Sequence, residues 1–225
     1  MGRGKRRDIG RTGGKMSVKL ISATLNAEDI IAYCARVSSS NQENPNITRL
    51  LKYMIREGHW SPFEMANMVI EIETSRAIAQ QILRHRSFSF QEFSQRYAEA
   101  HENIIYKARR QDKRNRQNSI DDLPDHIREW FEEKQMELWD RSQWLYNMAL
   151  DFGVAKESAR FVLPLSTKTK LYMNGTLRSW IHYIDLRSPE HGTQKEHSDI
   201  VAEIKKIFIE QFPTISEALE WNVTA

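Results

Sequence analysis

Apolar residues recur at helical spacing along most of this chain and at strand spacing in one short central stretch. From Asn26 to about Val37 the spacing predicts a helix, with Asn26 as candidate cap and Glu28 and Asp29 in the first turn, where acidic groups suit the helix dipole. A second helix is expected from about Ile47 to Glu57, where Leu50, Leu51, Met54 and Ile55 share a face and Gly58 supplies the stop. GHWSPFEM then reads as a turn-like link. In NMVIEIET, Met68, Ile70 and Ile72 alternate with Val69, Glu71 and Glu73, the pattern of a half-exposed strand, and Ser75 is placed to cap a helix through Ile82 and Leu83.

Residues 98–123 are polar and hold no period, so they read as a long loop or short irregular pieces, a candidate mobile element. From Pro124 to about Phe152 the positions of Ile127, Trp130, Phe131, Met136, Leu138, Trp144, Leu145 and Met148 predict one long helix that Gly153 ends. A short helix is expected over 157–162, a strand at KLYMNG, and helices at TLRSWIHYIDLR, with Trp180, Ile181 and Ile184 inward, and at HSDIVAEIKKIFIEQF. Helices first, one or two strands in the middle and helices after make an α+β chain rather than a repeating βαβ wind.

With 225 residues, 40% of them hydrophobic, the chain can bury one sizeable core, and no run approaches the roughly 18 apolar residues of a membrane span. The expected organisation is a flexible basic tail over 1–15, with Met16 a candidate start, and a single domain over 16–225. The tail has no apolar core of the secretory kind, so a cytoplasmic address is expected. The lone Cys34 excludes an internal disulfide; on an apolar helical face it reads as a buried thiol, with a nucleophile as the sharper alternative. The net charge of +3 comes largely from the tail and from KARRQDKRNRQ at 107–117, and charge alone does not separate a phosphate-bearing small ligand from nucleic acid.

The densest chemistry lies in RHRSFSFQEFSQRY, residues 84–97, where Arg84, His85, Arg86, Ser89, Gln91, Glu92, Ser94 and Arg96 are interleaved with Phe88, Phe90, Phe93 and Tyr97. Guanidinium forks bind phosphate oxygens bidentately, and hydroxyls and amides fill the remaining lone pairs. On physics alone the cluster fits an anion site, a structural ion-pair network or a nucleic-acid surface. No glycine-rich phosphate loop is present, so a nucleotide cofactor would be held largely by side chains.

The order of residues in that segment resembles the signature of flavin-dependent thymidylate synthases. GHWSPFEM, SARFVLPLS and NGTLRSWIHYIDLR resemble further segments of the same family in the same order, together spanning about residues 58–200. Two positions depart from the common pattern, Gln91 where asparagine is frequent and Gln95 where glycine is frequent. The resemblance implies an α+β subunit with central antiparallel strands packed with helices, working as a homotetramer whose pockets draw on several subunits. It implies that FAD is held by His59, Ser61, Arg84, His85, Arg86, Glu92, Thr176, Arg178 and His182. It implies that dUMP is held by Gln81, Arg84, Glu92, Ser94, Gln95, Arg96, Arg160 and Arg187, with Arg187 stabilising negative charge on the uracil ring. Methylenetetrahydrofolate would supply the carbon and NADPH the reducing equivalents, and no cysteine would be needed.

Plainer readings stand beside several of these. Ser94 lacks an evident His and Asp relay, so a phosphate or base contact is the expected role. Arg160 has Glu157 three residues earlier as a surface partner, and Arg187 has a helix C-terminus to complement. His191 and His197 lack a third ligand at a recognisable spacing, and no metal is predicted. A nucleic-acid-binding module and a non-catalytic nucleotide sensor are the alternatives to the enzyme.

Overall fold

The computed structural model describes residues 14–221, so the predicted tail over 1–15 lies almost wholly outside the described residues. The central sheet is built on the strand that alternation makes plain. In Asn67–Ser75 (β2), Met68, Ile70 and Ile72 are fully buried while Val69, Glu71 and Glu73 are half-exposed. Strand β2 pairs antiparallel along its whole length with Lys168–Thr176 (β6), from Asn67 opposite Thr176 to Ser75 opposite Lys168. Outside β2 lies Ser17–Ala23 (β1) and outside β6 lies Ser89–Glu92 (β3), giving the order β1-β2-β6-β3 with every pair antiparallel.

Two of these strands correct the sequence reading. Among the described residues the first element is β1 rather than a helix, and a register shift between Leu20 and Ser22 interrupts the alternation that would have revealed it. Strand β3 falls in the arginine-rich segment expected at a helix end; at four residues it is too short for a period to register. KLYMNG is the later part of β6, as predicted but starting two residues sooner.

The first two helices run from Ala27 to Ala35 (α1) and from Thr48 to Arg56 (α2). Asn26 precedes α1 in the left-handed region, φ 50°, and makes no side-chain capping bond, so its predicted role as cap is replaced by a turn conformation that asparagine tolerates. Cys34 is half-buried rather than fully inside. SPFEM closes a 3-10 turn that buries Phe63. Helix α3, Arg76–Ile82, starts as predicted on Ser75, whose hydroxyl accepts from the Ile78 amide.

Leu177–Leu186 (α6) follows β6 directly, its Thr176 cap accepting from the Ser179 amide. Trp180, Ile181 and Ile184 point inward as their spacing predicts, and the Trp180 indole donates to the Met68 carbonyl at 2.9 Å, so its one polar group is satisfied in the core. Lys195–Gln211 (α7) packs Ile200, Val201, Ile204 and Phe208 into the same core, and Pro213–Ala218 (α8), which the sequence pattern does not announce, adds Ile215. Gly175 is required by close approach. A Cβ there would stand 2.4 Å from the Phe88 ring, so the glycine lets Phe88 lie against β6 and against Trp180, fixing the path of the chain between α3 and β3.

Residues 98–123 are irregular apart from a short ladder between Arg110–Gln111 (β4) and Ser119–Ile120 (β5), and they are tied by ion pairs of Lys107 with Asp121 and Arg110 with Asp122. The long helix is present as predicted, Asp125–Asp151 (α4), and Gly153 beyond it has φ 82°. Its buried residues are Trp139, Ser142, Gln143 and Tyr146. Trp130, Phe131, Leu138, Trp144 and Leu145 are exposed, so the spacing predicts the helix correctly but most of its apolar positions have no cover among the described residues. The expected short helix is split into Lys156–Ala159 (α5) and a 3-10 turn over Arg160–Val162.

Candidate active site

Three of the matched segments meet along α6. Trp60 lies edge-on to His182, with ring centroids 4.8 Å apart, and Arg178 pairs with Glu64, joining GHWSPFEM to the helix. Ser179 donates to the Ser87 carbonyl at 3.3 Å, and Arg187, at the C-terminal cap of α6, donates through Nε to His85 Nε2 at 2.9 Å. His59, Ser61, Arg84, Arg86, Arg178 and His182 are exposed, while Thr176, which caps α6, is half-buried. Among the described residues, the side chains of Arg84 and Arg86 make no ion pair, so their guanidinium forks are available to a ligand.

The remaining predicted residues, Gln81 apart, fall in a second group. Ser94 accepts from the Arg96 amide, shaping a turn, and Arg96 pairs with Glu157 at 3.2 Å. Arg160 donates to the Glu157 carbonyl rather than to its carboxylate, so the surface bridge anticipated between those two side chains is not formed. Gln95 is 5% exposed and its amide nitrogen has no partner among the described residues. Glu92, on edge strand β3, accepts through Oε1 from Arg76 at 2.7 Å and from the Thr169 hydroxyl at 2.9 Å. No hydrogen bond among the described residues joins this second group to the cluster along α6.

Behind the first group is a partly buried polar network that the motif residues do not reveal. His85 stands edge to face with Tyr183 at 4.7 Å, the Tyr183 hydroxyl lies 2.8 Å from His197 Nε2, and His197 Nδ1 lies 3.4 Å from Gln81 Oε1. Gln81 donates to Gln194, Gln194 donates to Glu196, and Glu196 pairs with Arg109 of the irregular segment. One signal for His197 exists in the sequence: it occupies the apolar stripe of α7 that continues through Ile200, Val201 and Ile204. Beside Gln194 and Glu196 opens a cleft of about 820 Å³, whose walls include Tyr106, Arg109, Arg116, Asn118 and Lys195. The motif arginines do not line it.

Burial, and secondarily the positive charge of Arg187, lowers the pKa of His85 to about 4; burial, with smaller effects of Arg187 and His85, lowers that of His197 to about 3. Both imidazoles are therefore neutral at physiological pH. Burial raises the Tyr183 phenol above its ordinary value, so it remains a donor. The consequence for stability has a definite sign. Between the ordinary histidine pKa of 6.5 and these lowered values the unfolded chain binds more protons than the folded one, so stability is full above about pH 6.5 and falls as the pH drops towards 4 and then 3. Denaturant titrations from pH 7 to 5 should show this loss before the carboxylates titrate, and His197→Gln should flatten it; an unchanged slope would remove His197 from the account.

Comparison with known proteins follows the same lines. The family model described as thymidylate synthase complementing protein matches residues 19–214. A flavin-dependent thymidylate synthase of Synechocystis sp. is 56% identical over 216 residues, covering 92% of this chain and 100% of that protein. A probable flavin-dependent thymidylate synthase of Paramecium bursaria Chlorella virus 1 is 53% identical with the same coverage. Among solved structures, the UMP/dUMP methylase PolB from Streptomyces cacaoi bound with 5-Br dUMP superposes with a TM-score of 0.83 at 24% identity, covering 92% of this chain and 96% of that one, a likeness of fold. The sheet order, the meeting of the matched segments along α6 and the near full-length relatives give one result: the chain belongs to the flavin-dependent thymidylate synthase family.

Proposed function

We propose that this chain makes dTMP from dUMP by reductive methylation, with FAD as cofactor, methylenetetrahydrofolate as carbon donor and NADPH as reductant. The observation that carries the reading is the 2.9 Å bond from Arg187 to His85, which brings the RHR segment and the end of α6 into one place. The donor set fits a flavin dinucleotide: Arg84 and Arg86 suit its phosphates, while the Trp60 and His182 rings, with His59 and Ser61 nearby in sequence, offer faces and donors for its planar parts. When bound, the flavin supplies the electrons that turn a transferred methylene into a methyl group. The protein's own part is positioning and charge. Arg187 holds a positive charge against the pyrimidine as negative charge grows on it, and the partnerless amide of Gln95, with Arg96, Ser94 and Arg160, offers donors to the nucleotide.

The separation of the predicted residues into two groups, and the exposed apolar positions of α4, support a site completed by other copies of the chain in a homotetramer. Burying Trp130, Phe131, Leu138 and Trp144 would then fall to the assembly rather than to the chain. Residues 16–225 are read as one domain. Among the described residues no helix is long and apolar enough to cross a membrane, and no cluster of three metal-ligating side chains occurs. Cys34 is half-buried on α1, and among the described residues no side-chain hydrogen bond joins it to either group of predicted residues, so Cys34→Ala should retain turnover within about twofold; loss of activity in a folded, flavin-loaded variant would restore a thiol mechanism.

The deciding experiment is an anaerobic assay of dTMP formation from dUMP, methylenetetrahydrofolate and NADPH, with FAD present and with FAD withheld from stripped protein. Product that depends on FAD is the expected result. A yellow protein that binds dUMP without turnover would mark a nucleotide sensor. A colourless one that binds oligonucleotides with a steep salt dependence would overturn the reading.

A further inference from the structure

We propose that Tyr183 and His197 are positioning residues for the nucleotide site, holding the His85 ring so that it fixes the orientation of the Arg187 guanidinium. The inference rests on the reading above in which Arg187 acts on the nucleotide. It also changes the sense of His85, whose implied role is to contact the flavin: in this chain one of its nitrogens is committed to the arginine.

Hydrogen positions fix the direction of the Arg187–His85 bond. Arg187 Nε carries a proton and cannot accept, so His85 Nε2 is the acceptor and the neutral ring bears its proton on Nδ1. A bond to Nε settles which edge of the guanidinium faces inward and leaves the terminal nitrogens for a ligand. That arrangement is only as well defined as the His85 ring, which stands edge to face with Tyr183 at 82° between planes. Tyr183 is held in turn at its far end. Its hydroxyl donates to His197 Nε2 at 2.8 Å, which puts the His197 proton on Nδ1, facing Gln81 Oε1 at 3.4 Å. Three helices thus contribute: Gln81 from α3, Tyr183 from α6 and His197 from α7.

Energetics separate this from ordinary packing. His197 is 0% exposed and Tyr183 nearly so, and burying two polar side chains costs free energy unless they are paired. A phenylalanine and a leucine would fill the same volume without that requirement. The polar pair adds direction: the hydroxyl bond stops the Tyr183 ring from pivoting, and the ring edge then keeps His85 from turning away from Arg187. Without it the guanidinium has a choice of orientations, and only some serve the nucleotide.

The test is a double-mutant cycle on flavin-loaded protein, reading the dUMP dissociation constant by calorimetry and flavin content by absorbance. Tyr183→Phe keeps the ring and removes the hydroxyl. It should weaken dUMP binding about tenfold in the wild-type background and leave it unchanged in the Arg187→Ala background, the coupling expected of groups in one network. Flavin content should stay the same. If Tyr183→Phe does not fold, the pair His197→Leu and His197→Gln replaces it. The glutamine amide oxygen can accept from Tyr183 and should restore dUMP affinity that leucine loses. Equal weakening in both arginine backgrounds, no weakening at all, or no difference between glutamine and leucine would overturn the proposal. Arg187→Ala without effect on dUMP affinity or turnover would instead overturn the functional reading beneath it.

Discussion

Arg187→Ala should lower turnover by about two to three orders of magnitude while flavin remains bound, the loss typical when a preorganised donor to developing negative charge is removed. Arg187 caps α6, is half-buried, and spends one nitrogen on His85, so its charge is already oriented before a nucleotide arrives. Orientation fixed in advance costs nothing at the moment of reaction, and partial exclusion of water raises the effect of the charge. Arg187→Lys should recover only part of the rate, because an ammonium on a flexible stem cannot both donate to His85 and present a planar fork. In the alanine variant His85 loses the smaller of the two causes that depress its pKa, and burial, the larger one, keeps it low. Steady-state rates alongside the flavin absorption spectrum decide the matter, and unchanged turnover would take Arg187 out of the mechanism.

The largest expected effect on stability comes from Arg109→Leu. The side chains of Arg109 and Glu196 are 15% and 7% exposed, far more enclosed than the surface pairs elsewhere in the chain. Arg109 also donates to Ser119 at 2.9 Å, and Glu196 accepts from Gln194 at 2.9 Å. Removing the arginine leaves the Glu196 carboxylate with one amide donor at the wall of the cleft, where water relieves part of the penalty, so the cost is on the order of 3 kcal/mol, the low end for breaking a buried pair from one side. For a chain of this length that corresponds to a fall in melting temperature of roughly 10 °C. Replacing both residues, Arg109→Leu with Glu196→Leu, should recover most of the loss, since the penalty lies in the stranded charge and not in the missing attraction. Thermal melts of the two single variants and the double variant measure this; additive losses would show that the pair holds the structure in some other way.

Much of the fold can be read from the sequence because most of its elements are long enough for a period to repeat. The alternation from Met68 to Glu73 gives β2, and Trp180, Ile181 and Ile184 give both α6 and its buried face. What escapes is short or interrupted: β1 with its register shift, β3 with four residues, α8 with six. The candidate site divides in the same way. Arginine, histidine and serine at fixed offsets within a segment are visible as a motif. Their buried supports are not, because Tyr183 on α6 and the adjacent Glu196 and His197 in the first turn of α7 meet only after folding. Exposure is the other gap. The spacing in α4 predicts an apolar side but not whether this chain covers it, since a stripe meant for another molecule looks the same as one meant for the core.

That helix has a mechanical consequence. Twenty-seven residues make a rod about 40 Å long, and all four of its buried side chains lie between Trp139 and Tyr146. The half before them contributes no buried residue and leans on the rest through Gln135, which exchanges hydrogen bonds with the Tyr106 backbone, and through Arg128. It is a cantilever, clamped at one end and nearly unsupported over its first three turns. Its bending is opposed by little among the described residues, so a partner seated on Trp130, Phe131 and Leu138 would stiffen the rod as it bound. Association and the last part of folding would then be one event, and the stability of the protein would rise with its concentration.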